Sequence, residues 1–338
     1  MLKVAIIGYG GIAGAHAPSW QLLEERGKAK LVAVCDIDPD NFSATVETNI
    51  NSGRELPADV RTYTDYKEML ANEELDLVDI CLPTPLHKDV TIDVLNSGIN
   101  VQCEKPMARN YAQTQEMIAA AKASGKILMI GLGLRFAVEY EYVKKLIESG
   151  EYGRPVAASF QRLSGPPLWS RWHSWYMNHE ESGGCLLDMH IHDVDMVRHL
   201  FGEPKAVSCV TQDLYAGDDV VHSRFIYDDL AVTAVGDWSL EGTGFYCGYR
   251  IAFEKATVIC EMSKVTVYPR GGEAFEPELN GDNFFTRELT VISDAVAGNG
   301  EVAVTPPQSA AKSIRLCELL KESANANGAI VSCDELKD

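Results

Sequence analysis

Hydrophobic residues in the first 130 positions occur in short, unbroken runs separated by amphipathic stretches. The runs are rich in Val, Ile and Leu and do not alternate with polar residues, which is typical of strands buried on both faces. They cover residues 4–7, 31–35, 77–82, 99–103 and 127–130. The helical spacing between them predicts helices at 13–25, 65–71, 87–97 and 111–124. This alternation predicts an α/β domain over residues 1–125, built on a doubly wound parallel sheet.

The pattern changes after residue 126. A helical stretch at 139–149 is followed by apolar, strand-like runs with polar turns between them. The last stretch of helical spacing covers residues 306–324. We therefore predict a second, α+β domain over residues 126–338, with an open and mostly antiparallel sheet. Its predicted strands cover residues 156–163, 206–214, 222–226, 231–238, 249–253, 256–261 and 264–268.

Charge and composition exclude several classes of function. The chain has 338 residues and a net charge of −19, which disfavours binding to nucleic acid or to an anionic membrane surface. Its nine cysteines include no CxxC pair, and no apolar run approaches the 18 residues of a membrane span. We expect a cytoplasmic protein that keeps its thiols reduced.

A glycine-rich segment follows the first predicted strand and opens the first predicted helix. Gly8 permits a tight turn, Gly10 lets the backbone approach a pyrophosphate, and Ala13 lets the helix lie close to the sheet. Gly11 and Ile12 complete the turn, and the helix N-terminus offers N–H groups to phosphates. The segment predicts a dinucleotide site of the Rossmann type, although a glycine-rich turn without a ligand would have the same sequence.

Asp36 makes the dinucleotide prediction more specific. It closes the second predicted strand about 20 residues after the glycines, where a carboxylate accepts hydrogen bonds from the adenosine ribose. A 2′-phosphate beside it would meet like charge, and no Arg follows among Ile37, Asp38 and Pro39. We therefore predict NAD rather than NADP, with a turn or capping role for Asp36 as the alternative.

Residues 182–202 carry several polar side chains in a helical pattern. If residues 186–201 form one helix, Asp188, His192 and Asp195 lie at i, i+4 and i+7 on one face. Asp188 and His192 could then act on one substrate as hydrogen-bonding acid and proton carrier. The plain alternative is that His192 is an ordinary helix residue without a chemical role.

His190, His192 and Asp193 offer a second alternative, a divalent metal site. Side chains two residues apart diverge on a helix, so this interpretation needs a strand or loop at this point. We predict no metal.

Glu104-Lys105-Pro106 closes the fifth predicted strand. Charged residues directly after a buried strand must be paired, solvated or used, because burying unpaired charge costs several kcal/mol. A partly desolvated Lys loses proton affinity, which suits general acid–base chemistry near neutral pH. For this tripeptide alone, a surface ion pair is the simpler explanation.

Taken together, these motifs resemble the glucose–fructose oxidoreductase / inositol dehydrogenase (Gfo/Idh/MocA) family, and the resemblance covers essentially the whole chain. No single motif is decisive, but their order and spacing are highly specific. They are Gly8-x-Gly10 with His16, Asp36, the Pro83-Thr84-Pro85-Leu86-His87 loop, Glu104-Lys105-Pro106-Met107-Ala108, and Gly183-Gly184 with Asp188, His192 and Asp195.

The resemblance implies an NAD-dependent oxidoreductase that acts on a secondary alcohol of a sugar, inositol or related polyol. It implies that Lys105 and His192 form the catalytic pair and that Asp188 holds the reacting hydroxyl. It also implies a homodimer or homotetramer, with the open sheet as the contact surface. The cofactor residues that it adds are Thr84, His87, Glu104, Lys105 and Arg135.

Two features leave the substrate open. His190 occupies a position that is commonly small in the family, and this departure affects the geometry around the site and the choice of substrate. An aromatic and basic loop before the glycine pair predicts substrate contacts from Arg171, Trp172 and His173, together with Arg162, and a packed surface loop is equally compatible. Two other functions on this fold remain: a non-catalytic dinucleotide sensor, and redox-neutral sugar chemistry with bound NAD.

Overall fold

The computed structural model describes residues 1–43, 56–168 and 173–336. The chain forms two compact units, of which the first comprises residues 1–133 and 282–311 and the second residues 134–281 and 312–338. The sequence predicted one boundary, between residues 125 and 126, whereas the first unit extends to residue 133 and includes a later segment of the chain. Residues 128–131 form the edge strand of the first sheet, and residues 282–311 return to the first unit.

The first unit contains the predicted parallel sheet, with six strands, five of which the sequence had indicated. The strand order β3-β2-β1-β4-β5-β6 is that of a Rossmann fold. Its strands are β1 (Leu2–Ile7), β2 (Ala29–Cys35), β3 (Arg61–Tyr63), β4 (Leu77–Ile80), β5 (Asn100–Glu104) and β6 (Leu128–Gly131), and its helices α1 (Ala13–Glu25), α2 (Tyr66–Asn72), α3 (Thr84–Asn96) and α4 (Tyr111–Ser124) connect them.

The strand order reverses between β1 and β4, which lie next to each other in the centre of the sheet. Residues 4–7 and 77–80 are fully or almost fully buried, as expected for strands covered on both faces. In open α/β sheets, ligands bind beyond the carboxyl ends of the strands at such a reversal. The loops after β1, β2, β4 and β5 therefore define the candidate site of the first unit.

The helix that the sequence pattern did not predict, α10 (Phe284–Val296), packs against α1. Asn283 caps it by accepting the Thr286 N–H at 3.0 Å, and Phe285, Leu289 and Ile292 are buried. Thr286 Oγ1 donates to Ser19 Oγ at 2.9 Å. Thr286 and Glu288 are polar residues on the same buried face.

The second unit contains an eight-stranded sheet in the order β13-β12-β11-β7-β10-β9-β8-β14. Every neighbouring pair is antiparallel except β7 with β10, so the predicted open, mostly antiparallel sheet is confirmed. The strands are β7 (Pro155–Leu163), β8 (Ala206–Gln212), β9 (Val220–Ile226), β10 (Ala231–Asp237), β11 (Tyr246–Phe253), β12 (Ala256–Glu261), β13 (Lys264–Pro269) and β14 (Val331–Ser332).

One face of this sheet is covered and the other is open. Along β9, Val221 and Phe225 are buried whereas His222 and Arg224 are exposed. The helices of this unit are α5 (Val138–Ser149), α6 (His173–Tyr176), α7 (His179–Ser182), α8 (Gly184–Asp188) and α9 (Ile191–Phe201), while α11 (Pro307–Asn325) runs across the boundary between the units. No helix among the described residues is long and apolar enough to cross a membrane.

Candidate active site

The glycine-rich turn after β1 has a conformation that only glycine accommodates. Gly8 has a φ of +88°, and a Cβ there would lie 2.6 Å from the Cys81 carbonyl oxygen. Its N–H donates to the Cys35 carbonyl at 2.8 Å, which joins the turn to β2. Gly10, Gly11 and Ile12 then lead into α1, whose N-terminus has no side-chain cap. Uncapped N–H groups at a helix N-terminus fit a pyrophosphate.

Asp36 lies at the carboxyl end of β2 and is 9% exposed. Its Oδ2 accepts the N–H of Tyr9 in the glycine-rich turn at 2.7 Å, and its Oδ1 accepts the N–H of Asp38 at 2.9 Å. A carboxylate has about four lone-pair sites, so the two N–H groups fix its orientation and leave acceptors for ribose hydroxyls. The geometry fits the predicted adenosine contact.

Thr84 and His87 belong to the first turns of α3, after β4, and both side chains are buried. The His87 ring contacts two backbone carbonyl oxygens, that of Pro106 through Nδ1 at 2.8 Å and that of Leu82 through Nε2 at 2.7 Å. Burial lowers the pKa of His87, against the effect of both carbonyls. His87 therefore fixes the chain beside Lys105, and its predicted contact with the cofactor stays a prediction.

Glu104 ends β5, and its carboxylate is anchored on both oxygens. Oε1 lies 3.1 Å from Nε2 of His16, and Oε2 accepts the backbone N–H of Lys105 at 3.2 Å. His16 Nδ1 lies 2.8 Å from Asp79 Oδ2, which also accepts Trp20 Nε1–H at 2.8 Å. The structure thus places the half-buried Lys105 directly after a carboxylate held in a buried polar network.

His16, Asp79 and Cys81 are the one group of potential metal ligands found within the described ranges. Burial opposes charge on His16, but the Asp79 carboxylate raises the pKa of the imidazole well above its ordinary value. Burial raises the pKa of Cys81 to about 12, so its sulfur is a thiol. In this hydrogen-bonded arrangement the group is an ion pair of His16 with Asp79, next to a neutral thiol.

The prediction that residues 186–201 form one helix is wrong. Helix α8 ends at Asp188 and α9 begins at Ile191, because the N–H groups of Met189 and His190 both donate to the Cys185 carbonyl, at 3.1 and 2.8 Å. The second of these bonds widens the turn and interrupts the regular ladder. Asp188 and His192 are both half-buried and lie on either side of this break.

His190 is fully buried and faces the sheet of its own unit. Its Nε2 lies 2.8 Å from Ser223 Oγ on β9. A Cβ on Gly236 of β10 would lie 2.9 Å from the His190 ring, so this glycine makes room for a bulky side chain. Burial, together with the charge of Arg162, lowers the pKa of His190 to about 3, and the imidazole is neutral. Its role is therefore one of packing within the second unit.

Asp195 does not share a role with Asp188 and His192. Its carboxylate is buried, and it accepts Arg135 Nε–H at 2.8 Å, Arg135 Nη2–H at 2.6 Å and Ser313 Oγ–H at 2.6 Å. Burial opposes the charge, but the Arg135 guanidinium lowers the pKa of Asp195. These bonds give Arg135 a structural role, and its predicted contact with the cofactor stays a prediction.

Arg162 and Asp193 form a second buried pair, with Nε and Nη2 of the guanidinium 3.1 and 3.2 Å from the two carboxylate oxygens. These bonds tie the two side chains to each other, and the predicted substrate contact of Arg162 stays a prediction. Arg171 and Trp172, the other predicted substrate residues, lie outside the described residues. His173 begins the short helix α6.

The glycine pair 183–184 has a backbone role. Gly184 has a φ of +63°, and a Cβ there would lie 1.9 Å from the Gly217 carbonyl oxygen. The strand-connecting loop at 213–219 is held rigid by Asp219, whose Oδ2 accepts the N–H groups of Leu214 and Tyr215 at 2.7 Å. The glycine therefore lets α8, which carries Asp188, approach this loop.

Gly184→Ala should destabilise the protein by about 1–3 kcal/mol beyond the cost of a strained φ, because the new methyl overlaps a backbone carbonyl. Gly150→Ala is the matched control, since Gly150 has a φ of +65° and open space within 4 Å. We expect the control to lose about 1 kcal/mol from the left-handed conformation alone. Urea denaturation measures both losses. Equal losses of stability in Gly184→Ala and Gly150→Ala would contradict this account.

Sequence reasoning missed Glu288, which is fully buried in α10 near Glu104. A Cβ on Gly131 would lie 2.6 Å from Glu104 Oε1 and 3.1 Å from Glu288 Oε1. The only available signal was a single Glu among the apolar residues of 284–296. Its partners are distant in sequence and could not be inferred from it.

Two family models match the chain. The first, an oxidoreductase family with an NAD-binding Rossmann fold, matches residues 2–132. The second, the GFO/IDH/MocA C-terminal domain, matches residues 140–261. Together they account for well over half of the sequence.

Curated relatives share about a third of their aligned residues with this chain. Myo-inositol 2-dehydrogenase of Thermotoga maritima is 30% identical over 60% of this chain and 55% of its own length. The 2,7-anhydro-N-acetylneuraminate hydratase of Mediterraneibacter gnavus is 33% identical over 67% of this chain and 54% of its own length. The chain thus spans little more than half the length of these two curated relatives.

Solved structures show the same fold over the whole chain. Levoglucosan dehydrogenase in complex with NADH and L-sorbose superposes with a TM-score of 0.84 at 18% identity, covering 100% of both chains. The WlbA dehydrogenase of Bordetella pertussis, in complex with NADH and UDP-GlcNAcA, gives a TM-score of 0.81 at 21% identity, covering 98% of both chains. At these identities the likeness is one of fold.

Proposed function

Because the chain belongs to the Gfo/Idh/MocA oxidoreductase family, with an NAD-binding Rossmann domain, we propose that it is a dehydrogenase or reductase. It moves a hydride between NAD and a secondary alcohol of a sugar, inositol or related polyol. The observation that carries this proposal is the set of anchored side chains at the carboxyl edge of the first sheet. At this edge Asp36 follows β2, beside the turn at Gly8. Glu104 is the last residue of β5, and Lys105 comes directly after it.

In the proposed oxidation, the substrate loses a C–H hydride and an O–H proton, and a carbonyl forms. The nicotinamide, when bound, supplies the hydride acceptor. His192 takes the hydroxyl proton, Asp188 holds the hydroxyl, and Lys105 polarises the oxygen. Glu104 fixes the Lys105 backbone, and it lines the nicotinamide ribose together with Thr84.

The test is a substrate panel of inositols, polyols, sugars and sugar acids, offered with NAD⁺ and with NADP⁺ while NADH or NADPH absorbance is followed. We expect turnover with at least one polyol or sugar. Binding of NADH without turnover of any compound would favour the dinucleotide-sensing alternative. The absence of NADH binding would contradict the proposal altogether.

A redox-neutral reaction is the second candidate, and its support is the 33% identity to the M. gnavus hydratase. Transient oxidation would then return the hydride to the same substrate, so no net NADH would form. Conversion of a substrate labelled with deuterium at the oxidised carbon, with the label retained in the product, would distinguish this reaction from a dehydrogenase.

NAD should be preferred to NADP because the Asp36 carboxylate occupies the end of β2. At about 4 Å and an effective dielectric near 20, each unit of like charge costs about 4 kcal/mol before screening. We expect kcat/KM for NAD⁺ to exceed that for NADP⁺ by about 100-fold or more, and Asp36→Ala to reduce this ratio at least about tenfold. Asp40→Ala, an exposed carboxylate on the same loop, is the control for overall charge. An unchanged ratio in Asp36→Ala would remove Asp36 from the cofactor site.

The open face of the second sheet is the proposed contact surface with a second copy of the chain. Val210 and Tyr268 lie on it and are 50% and 46% exposed, on opposite halves of the sheet. Exposed apolar side chains on a broad sheet face suit an isologous contact. Sedimentation would show a homodimer or homotetramer.

Eight of the nine cysteines are buried. Buried cysteines with no CxxC pair suit a reducing compartment, so we place the protein in the cytoplasm.

A further inference from the structure

Glu288 is a buried acid that the proposed mechanism does not use. Its side chain is inaccessible to solvent, and its Oε1 accepts a hydrogen bond from Gln102 Nε2 of β5. Its Oε2 has no hydrogen-bond partner in the part of the chain that the structure describes. A carboxylate with an unsatisfied oxygen in such a place would be costly, whereas a neutral carboxylic acid loses much less.

The position of Glu288 beside Glu104 makes ionisation of both acids unfavourable. Their Oε1 atoms flank Gly131, at 3.1 and 2.6 Å from the place that a Cβ would take. Only a glycine leaves room for two carboxyl groups there. Two carboxyl groups that both reach this position cannot both be ionised without a large cost, because their negative charges repel each other.

The charges around Glu288 come from three elements of the first unit. The cation is His16 of α1. Two acids contact the His16 ring, Asp79 of β4 and Glu104 of β5. The neutral groups are Cys81 and Gln102. One imidazolium therefore faces three carboxyl groups. Burial, together with the charges of Glu104 and Asp79, raises the pKa of Glu288 well above its ordinary value. When Glu288 holds a proton, the charged groups that remain are the His16 imidazolium and the carboxylates of Asp79 and Glu104.

We infer that Glu288 is a positioning residue, a neutral carboxylic acid that allows the Glu104 carboxylate to stay charged between His16 and the Lys105 backbone. The helix that carries it returns to the first unit from residue 282 onward. The part of this inference that concerns Lys105 rests on the proposed function, whereas the protonation state of Glu288 does not.

The protonation state is tested by thermal unfolding of the wild type and Glu288→Gln between pH 5 and pH 9. The unfolded acid ionises near pH 4.3 and the folded one at a higher pH, so the native state binds the extra proton and wild-type stability falls as pH rises between these values. Gln is neutral throughout. We expect the folding constant of Glu288→Gln relative to wild type to grow by up to about tenfold per pH unit.

His16, whose pKa is also raised, contributes a similar slope to both proteins, and that slope cancels in the difference. Glu301→Gln, at an exposed acid of the same unit, is the control and should show no such growth. A difference between Glu288→Gln and wild type that stays constant with pH would overturn the inference.

The positioning role is tested by turnover at pH 7. Glu288→Ala should lower kcat by about 10- to 100-fold, because it releases the network that orients Glu104. Glu288→Gln should keep kcat within about threefold of wild type, since shape and neutrality are preserved. An equal loss in both variants would overturn the positioning role. If the wild type turned over no substrate, the proposed function would fail, and the unfolding series would still decide the state of Glu288.

Discussion

Lys105→Met and His192→Ala should each lower kcat by about 10²–10⁴-fold, the range that positioned acid–base groups contribute. Met keeps much of the length of Lys but carries no charge, so the variant removes the ammonium with little change in packing. NADH affinity, measured by fluorescence titration, should change by less than about fivefold in His192→Ala. The residual rate should be similar in the double variant, because residues that act as a unit are not additive.

The matched controls are Lys126→Met and His179→Ala. Both lie in described parts of the chain outside the proposed site, Lys126 just before β6 and His179 in α7. Each should retain wild-type turnover within about twofold. Near-normal kcat in either Lys105→Met or His192→Ala would remove that residue from the proton-transfer step, whatever the substrate proves to be.

Asp195→Asn should destabilise the protein by about 3–5 kcal/mol, the usual result of removing one partner from a buried ion pair. The Arg135 guanidinium would keep its charge in a buried place, would lose its negative partner, and would face an NH2 donor in place of one of the two oxygens that now lie 2.6 and 2.8 Å away. Denaturant unfolding at pH 7 measures the loss. The same prediction has a pH dependence. Because the folded pKa of Asp195 is lowered, its contribution is present above about pH 4 and is lost as pH falls through the folded pKa.

Asp228→Asn is the control, because Asp228 pairs with Lys205 and the two side chains are 70% and 56% exposed. A pair so open to solvent contributes about 0–1 kcal/mol. Unchanged stability in Asp195→Asn together with a collapse of kcat would contradict the structural role that its bonds give Asp195.

The sequence predicted the fold well where local signals were strong. Helices α1 and α4 match their predicted bounds, and Gly125, in the left-handed conformation, marks the end of α4 locally. Strand β3 escaped prediction because its three residues are polar and lie at the sheet edge. Helix α10 was not predicted, although its buried residues Phe285, Leu289 and Ile292 have helical spacing.

The sequence alone also determined which polar residues follow the parallel strands, since strand ends and turns are local features. Gly8, Asp36 and Glu104-Lys105 were found in this way, and each lies where a parallel sheet presents its carboxyl edge. The family resemblance followed from their order and spacing.

Only the tertiary structure decided which of the many polar residues are already committed to other protein groups. Asp195 bonds to Arg135, 60 positions away, and Asp193 bonds to Arg162, 31 positions away. Glu288 meets Gln102 across 186 positions. Burial makes these partners obligatory, because a charge or polar atom without one is costly, yet no local pattern specifies a partner so far along the chain. The sequence therefore supplied candidate residues for the chemistry, and the packing of sheet and helices showed which polar residues are bonded to other protein groups instead.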